Sequence, residues 1–504
     1  MKTKALRSNE AKDFRSETIE LTEPQENAGS ITMKIQEIPD GQNLICPFNK
    51  RRPVMETLNL ADMSLKDLLN PAGYDCPCGK HHISTVQDIV IGEHALEHLI
   101  PMIRARHMQN PFVICDQNTY AAAGRRVMDL LSAADIHYSA YTMDSGHPDP
   151  SEFWVGAIAM RFSESYDGII GVGSGVINDI CKIIANNTKR PFLIVGTAPS
   201  MDGYASDSSS MVLSSLKISL HSNCADGIIG DTSIISQAPM RMLQSGLGDM
   251  AAKYTSICEW RISHLINGEY YCEEVASLVR KSLKQCMDSS NRLVSRDPAA
   301  VGNIMNGLIL SGIAMSYAGV SRPASGTEHY FSHIWDMTAL DHGYEHDMHG
   351  IQCGIGTLLT LKVYDYIKTI TPDREKALRY VSRFSMEKWE ADVRRVFGSA
   401  AESILEAEKR EHKFDKEAHR KRLDHILDHW DEILAIIDEE LPSYDELFQK
   451  LKATGAPVTP AELNISDSQV RSAFVHTKDI RDKYISSRLL WDLGLLDEAA
   501  ELLF

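Results

Sequence analysis

A chain of 504 residues has room for two or three ordinary domains, and 43% hydrophobic with 24% charged residues is the balance of a globular protein able to bury a core. A net charge of −17 argues against a nucleic-acid backbone or an acidic membrane surface as partner, and leaves room only for a local pocket around one phosphate. No apolar run reaches the ~18 residues of a bilayer span and the N-terminus lacks the apolar stretch of a secretory signal, so a cytoplasmic protein with reduced thiols is expected.

Residues 1–70 show no sustained period and read as an N-terminal extension. Cys76-Pro77-Cys78-Gly79-Lys80-His81-His82 is the one cluster among ten scattered cysteines. A CxC with no matching second pair reads more simply as a surface turn than as a zinc site. Strand patterns follow at 86–92, 112–116, 138–142, 168–173 and 191–197, and they alternate with helical patterns at 95–106, 121–133, 153–162 and 174–184. This alternation predicts a parallel sheet with crossover helices, a Rossmann-like α/β domain over residues 71–233.

From about residue 234 helical periods take over, at 249–265, 273–288, 299–318 and 355–368. Between 402 and 440, Leu423, Leu427, Trp430, Leu434 and Ile437 mark one apolar face of an otherwise charged stretch. Ser443-Tyr444-Asp445-Glu446 has the form of a capping box, and residues 484–504 are apolar at helical spacing with a break at Gly494. An all-helical domain over 234–504 is therefore expected.

Gly171-Val172-Gly173-Ser174-Gly175 lies between a strand and a helix. Glycines there let backbone N–H groups approach a pyrophosphate, and the helix N-terminus favours anions. The usual GxGxxG fingerprint is not matched, and a plain tight turn is the competing explanation. Asp116, at the end of a strand, has the chemistry to bind a ribose diol and to repel a 2′-phosphate, which leans toward NAD; on its own such an acid is more often a helix cap.

Asp249 and the histidines of the 329–349 stretch have the chemistry of a metal site. Three protein ligands and an open position are what a catalytic divalent ion requires, and Asp249, His329 and His349 supply one carboxylate and two imidazoles. Asp249 is expected near the start of a helix. His329 and His333 are four apart and share a helix face. His342 and His346 lie in the same region, so which histidine completes the set stays open at this point.

Five stretches together are similar to a known pattern: GVGSGVINDICK at 171–182, GTAPSMDGYASDSSSM at 196–211, GLGDMAAKYTSICEWRIS at 246–263, SRPASGTEHYFSH at 321–333 and HGIQCGIGTLLTL at 349–361. The chain resembles the glycerol-1-phosphate dehydrogenases, and in particular the bacterial, AraM-like branch, of the iron-containing alcohol dehydrogenase and dehydroquinate synthase superfamily. The resemblance implies an α/β dinucleotide-binding half, a helical half and a metal site in the cleft between them.

It implies further that Asp249, His329 and His349 hold one divalent ion, Zn²⁺ or Ni²⁺. Gly173, Ser174, Gly175, Asn178 and Asp179 would bind the pyrophosphate of NAD(H) or NADP(H), with Thr197, Ser200 and Ser206 lining the cofactor. Asp202 and His333 would stand beside the substrate. Where many relatives carry a histidine four residues after the aspartate, this chain has Lys253, which suits a three-ligand site.

The implied reaction is reversible reduction of dihydroxyacetone phosphate to sn-glycerol 1-phosphate, with Asp249, His333 and Lys253 in the catalytic group, His333 as proton relay, and Lys253 and Arg322 as candidate phosphate contacts. The rival readings are a glycerol dehydrogenase acting on an unphosphorylated polyol, a cyclase of the dehydroquinate synthase type and a non-catalytic binding protein. A small phosphorylated triose is the expected partner, and a homo-oligomer, dimer or larger, the expected assembly.

Overall fold

The computed structural model describes residues 58–145, 148–213, 216–344 and 346–504, so most of the expected N-terminal extension lies outside the described residues. A short antiparallel hairpin comes first, β1 (Tyr74–Asp75) and β2 (His81–His82). The main strands follow: β3 (Asp88–Gly92), β4 (Pro111–Asp116), β5 (Ser139–Met143), β6 (Gly168–Gly173) and β7 (Phe192–Gly196). A second hairpin, β8 (Ser208–Leu213) and β9 (Leu216–His221), precedes β10 (Gly227–Asp231). Six strands make one parallel sheet in the order β3-β10-β7-β6-β4-β5.

Both faces of the sheet are covered, which is why its strands read as apolar runs rather than alternating ones. Phe112, Ile114, Ile169, Phe192, Ile194 and Ile228 point into one core, and Val113, Cys115, Ile170, Val172, Leu193, Val195 and Ile229 into the other. The period of two is intact; burial on both sides hides it from a hydropathy pattern.

β10 and the second hairpin are not visible in the sequence pattern. Gly227-Ile228-Ile229-Gly230-Asp231 offers two apolar residues between glycines, too few for a periodic signal. It becomes a strand because it fits between β3 and β7, with Gly227 level with Asp88 on one side and Leu193 on the other.

From β4 the chain crosses outward to the edge strand β5, whereas from β6 it crosses the other way to β7. The crevice beyond the carboxyl ends of β4 and β6 is therefore a topological switch point, where open α/β sheets bind their ligands. Asp116 closes β4 and Gly173 closes β6; Ile114 pairs with Gly171, so the two residues stand level at the crevice.

After Asp231 every further element is helical. Asp249 does not open a helix over 249–265. It lies in the last turn of Met240–Ala251, which meets Lys253–Asn267 at Ala252. The helix expected at 355–368 begins earlier, spanning His349–Ile367, despite the glycines that weaken its first turns. The charged stretch resolves into Ala401–Glu411, Lys416–Asp428 and Trp430–Glu440, with Leu423 and Ile437 fully buried in a separate helical core. Ser443 caps its helix by accepting from the Glu446 N–H, while the Glu446 carboxylate pairs with Lys450 at 3.0 Å.

Among the described residues one helix, Pro298–Ala318, is long and apolar enough to cross a membrane, contrary to the expectation that none would be. It is a core helix: Met305, Leu308, Ile309 and Ile313 are wholly buried, and its Gly312 lies against Ala205.

Candidate active site

Local chemistry shapes the cofactor side of the crevice. At Gly173 an added Cβ would lie 2.3 Å from the Ile177 side chain, so only glycine lets the chain turn directly from β6 into the helix Gly175–Thr188. Ser174 and Gly175 are half-exposed at the start of that helix, whose first N–H groups have no intrahelical acceptor. Asn178 is buried; its Nδ2 donates to the Gly203 carbonyl at 3.1 Å, and its Oδ1 meets no donor among the described residues. That leftover acceptor and the open turn fit a ligand carrying both phosphates and donors.

Thr197, whose N–H donates to the Gly173 carbonyl at 3.0 Å, and Ser200 continue the rim of the crevice from the end of β7. Three other predicted contacts are engaged by the protein itself. Asp116 is a helix cap, its Oδ1 accepting from the Thr119 N–H at 2.8 Å. Asp179 accepts from the Ser210 N–H at 3.0 Å and stands 3.2 Å from the Lys182 ammonium. The Ser206 hydroxyl reaches the carbonyls of Gly203 and Ser208, both at 3.2 Å.

Lys182, which sequence reasoning passed over, is fully buried and also donates to the carbonyls of Gly203 at 2.9 Å and Ser208 at 2.6 Å. Its place four residues after Asn178 and three after Asp179, on the helix face away from Ile177, Ile180, Cys181 and Ile184, was the available signal. It ties the phosphate-loop helix to the Asp202 loop.

On the metal side, three helices converge through glycines. A Cβ on Gly248 would stand 2.2 Å from the Gly350 carbonyl oxygen, and one on Gly350 would stand 2.0 Å from the Ser245 carbonyl oxygen. The Asp249 helix and the His349 helix therefore touch backbone to backbone. Gly356 does the same against the Glu328 carbonyl at 2.6 Å, which seats the helix Thr327–His342 on the His349 helix.

This packing brings Asp249, His329 and His349 together. The His329 Nε2 lies 3.6 Å from the Asp249 Oδ1, and the His329 and His349 rings are 5.0 Å apart. His333 is half-buried, one turn on, its ring stacked at 5.8 Å over His349. Cys353, missed in the sequence although it stands four residues after His349 on the same helix face, places its Sγ 3.5 Å from the His349 Nε2. The donor atoms of His329, His349 and Cys353 all lie within 4.8 Å of one another, and Asp249 flanks that group.

Hydrogen bonds settle which imidazole nitrogen is free. His329 Nδ1 is 2.8 Å from the Glu328 carboxylate, which accepts only, so Nδ1 carries the proton and Nε2 the lone pair. Ser332 donates to the Gln352 Oε1 at 2.7 Å, so its oxygen accepts from His349 Nδ1 at 2.9 Å and leaves that Nε2 bare as well. Glu328, fully buried and also held by Gly326 N–H and Thr255 Oγ1, is a third residue the sequence reading missed.

The site is short of positive charge. Burial disfavours a charged Asp249, yet the Lys253 ammonium and His329 hold its carboxyl well below the ordinary carboxylate range. Burial likewise disfavours a charged His329, yet Cys353, Asp249 and Glu328 hold its pKa well above the usual imidazole value, so a cation and a second proton compete for the same Nε2 lone pair. Two bare Nε2 atoms beside an ionised, buried carboxylate fit a divalent cation by donor chemistry.

Lys253 is fully buried and has all three protons engaged, on Asp202 Oδ2 at 2.7 Å, Asp249 Oδ1 at 2.9 Å and the Ala324 carbonyl at 3.1 Å. Asp202 also accepts from Ser311 at 2.9 Å and donates its N–H to Asp249 Oδ2 at 3.0 Å. Arg322 is not an open phosphate contact: it is buried, held by Glu269, Ser263 and the Tyr484 carbonyl.

Residues 90–239 match the family of iron-containing alcohol dehydrogenases. The chain is 27% identical over 425 residues to glycerol-1-phosphate dehydrogenase [NAD(P)+] of Bacillus licheniformis, covering 84% of this chain and 93% of that protein. It is 34% identical over 282 residues to the enzyme of that name from Bacillus velezensis, covering 55% of this chain and 72% of that protein. The fold is similar to the crystal structure of glycerol dehydrogenase from Schizosaccharomyces pombe, with a TM-score of 0.54 at 18% identity over 82% of this chain and 90% of that one. With the motif glycines at the crossings of the three ligand-bearing helices and a parallel sheet ending in the glycine turn, the chain belongs to the glycerol-1-phosphate dehydrogenase family of the iron-containing alcohol dehydrogenases.

Proposed function

We propose that this protein catalyses the reversible, NAD(P)H-dependent reduction of dihydroxyacetone phosphate to sn-glycerol 1-phosphate. The observation that carries the proposal is the pair of imidazoles bare at Nε2 beside the buried Asp249, joined to the cofactor rim by the Asp202–Asp249 hydrogen bond. The names of the curated relatives supply the substrate class.

Asp249, His329 and His349 would hold one divalent ion, Zn²⁺ or Ni²⁺, which when bound would supply Lewis acidity toward the substrate carbonyl, with hydride coming from the nicotinamide. Asp249 contributes one negative charge and the imidazoles none, so the site keeps a net positive pull. Glu328 and Ser332 orient the two rings, and Lys253 keeps Asp249 ionised and holds Asp202 in place. Gly173, Ser174 and Gly175 present N–H groups to the pyrophosphate, with Asn178, Thr197 and Ser200 along the rim. The half-buried His333, its ring stacked over His349 beside the ligand cluster, would relay the proton to the developing alkoxide. The α/β half over 71–233 carries the cofactor, and the helical half over 234–504 carries the metal.

Chelator-treated protein is reloaded with Zn²⁺ or Ni²⁺ and NADH and NADPH oxidation is followed with dihydroxyacetone phosphate and with dihydroxyacetone. Metal-dependent oxidation that prefers the phosphate is expected. A preference for the free triose would assign the protein to polyol oxidation instead, and turnover without net nicotinamide oxidation would overturn the redox reading.

A further inference from the structure

The CxC stretch is not the plain surface turn its sequence suggests. Cys76 and Cys78 sit on the β1–β2 hairpin, His82 ends it, and Cys272 comes from 190 residues downstream as the N-cap of the helix Glu273–Ser289. The Sγ and Nε2 atoms of these four residues all lie within 4.8 Å of one another. From this we infer that Cys76, Cys78, His82 and Cys272 form a second metal site, a closed tetrahedral S₃N site for Zn²⁺ that shares no residue with the catalytic cluster and joins the hairpin to the helical half.

Distances carry the inference first. With Zn–S at about 2.3 Å and Zn–N at about 2.0–2.1 Å, a tetrahedron has S···S edges of about 3.8 Å and S···N edges of about 3.6 Å. Here Cys76 and Cys272 are 3.6 Å apart at sulfur, and His82 Nε2 is 3.5 Å from Cys78 and 3.4 Å from Cys272. Three of the six edges thus match such a tetrahedron to within about 0.2 Å, and the other three are no longer than 4.8 Å.

The surroundings agree. His82 is fully buried, and its Nδ1 lies 2.9 Å from the Tyr317 carbonyl, which can only accept. Nδ1 therefore holds the proton and the Nε2 lone pair faces the sulfurs, the orientation that outer partners impose on metal-binding histidines. The imidazole stacks on the Tyr317 ring at 5.4 Å and 16°, which locks its plane. Backbone N–H groups of Cys78, Lys80 and Val275 point at the sulfurs of Cys76, Cys78 and Cys272, and the Tyr270 hydroxyl is 3.3 Å from Cys78. Burial pushes the Cys76 and Cys272 thiols up, and the donors converging on sulfur oppose it on the side of the thiolate.

Lys80, on the same turn, holds its ammonium 3.6 Å over the Tyr270 ring and adds one positive charge against three thiolates. Gly79, at φ +88, makes the tight turn that returns the chain to β2. Four protein ligands leave no open position, so the site is structural.

The test uses the full chain carrying Asp249→Asn and His329→Ala, which disables the catalytic cluster. After zinc loading and desalting, elemental analysis is expected to find one zinc per chain, and cobalt substitution the intense visible bands and sulfur-to-cobalt charge transfer of a tetrahedral three-thiolate site. Adding Cys78→Ser is expected to remove both signals. Folded Asp249→Asn/His329→Ala protein that retains no zinc, a weak octahedral cobalt spectrum, or a Cys76–Cys272 disulfide in the isolated protein would each overturn the assignment. Each is read without the cysteine variant, so the test stands even if that variant does not fold.

Discussion

Gly248 is the position where one methyl group separates the metal ligands. The carbonyl oxygen of Gly350 would lie 2.2 Å from the Cβ of a Gly248→Ala side chain, whereas ordinary contact starts at 3.4 Å. Both groups are on rigid helices, so no side chain can swing away and the backbones must part by about 1.2 Å. Misplacement of about 1 Å at a reacting centre costs on the order of 10²-fold in rate. The fold itself pays less: overpacking costs about 1–3 kcal/mol and alanine returns about 1 kcal/mol of helix propensity. Metal affinity by chelator competition, kcat/KM and denaturant unfolding should therefore separate, with metal binding and activity falling about 100-fold and stability by no more than about 2 kcal/mol. Gly302→Ala is the control, since its new methyl meets only a side-chain carbon at 3.3 Å. Wild-type metal affinity and activity in Gly248→Ala would refute the claim that the glycine crossing sets the distance between Asp249 and His349.

Glu328→Gln removes the charge that orients His329, and chelator competition should report metal binding weaker by roughly 10–100-fold. Lys253→Met leaves the buried Asp249 and the partly buried Asp202 without their cation, so the metal-free protein should lose about 3–5 kcal/mol in denaturant unfolding. An unchanged midpoint would mean that Lys253 is not what balances those carboxylates. Burial opposes the ionised form of Asp479, yet Lys478 and His476 lower its pKa to about 2. Since the folded value lies below the unfolded one, its contribution of about 2 kcal/mol is complete above pH ~4 and lost as pH falls through 2. The stability gap between wild type and Asp479→Asn should narrow over that interval, and a constant gap would contradict the assignment.

Much of the framework is legible in one dimension. Strands such as Phe192–Gly196 and helices such as Pro298–Ala318 announce themselves because burial of a strand or a helix face leaves a local composition behind. β10 does not, because two isoleucines between glycines become a strand only in the gap between β3 and β7. Asp249 reads as the start of a helix when the pattern is taken from the long apolar run after it. Leu243, Leu247 and Met250, all buried, carry the helix that precedes it.

The candidate sites divide along the same line. Residue types in the Asp249, His329 and His349 motifs announce carboxylate and imidazole chemistry, and the glycine turn announces room for a phosphate. Which atoms meet is decided by tertiary packing: the helix crossings at Gly248, Gly350 and Gly356, the tautomers imposed by Glu328 and Ser332, and the arrival of Cys353. The CxC turn is incomplete until Cys272 reaches it from 190 residues away. Periodicity and residue type record what a segment buries and what chemistry it offers, because both act over a few neighbours. The distance between two donors on different helices is fixed by how backbones pack, and no local pattern carries that.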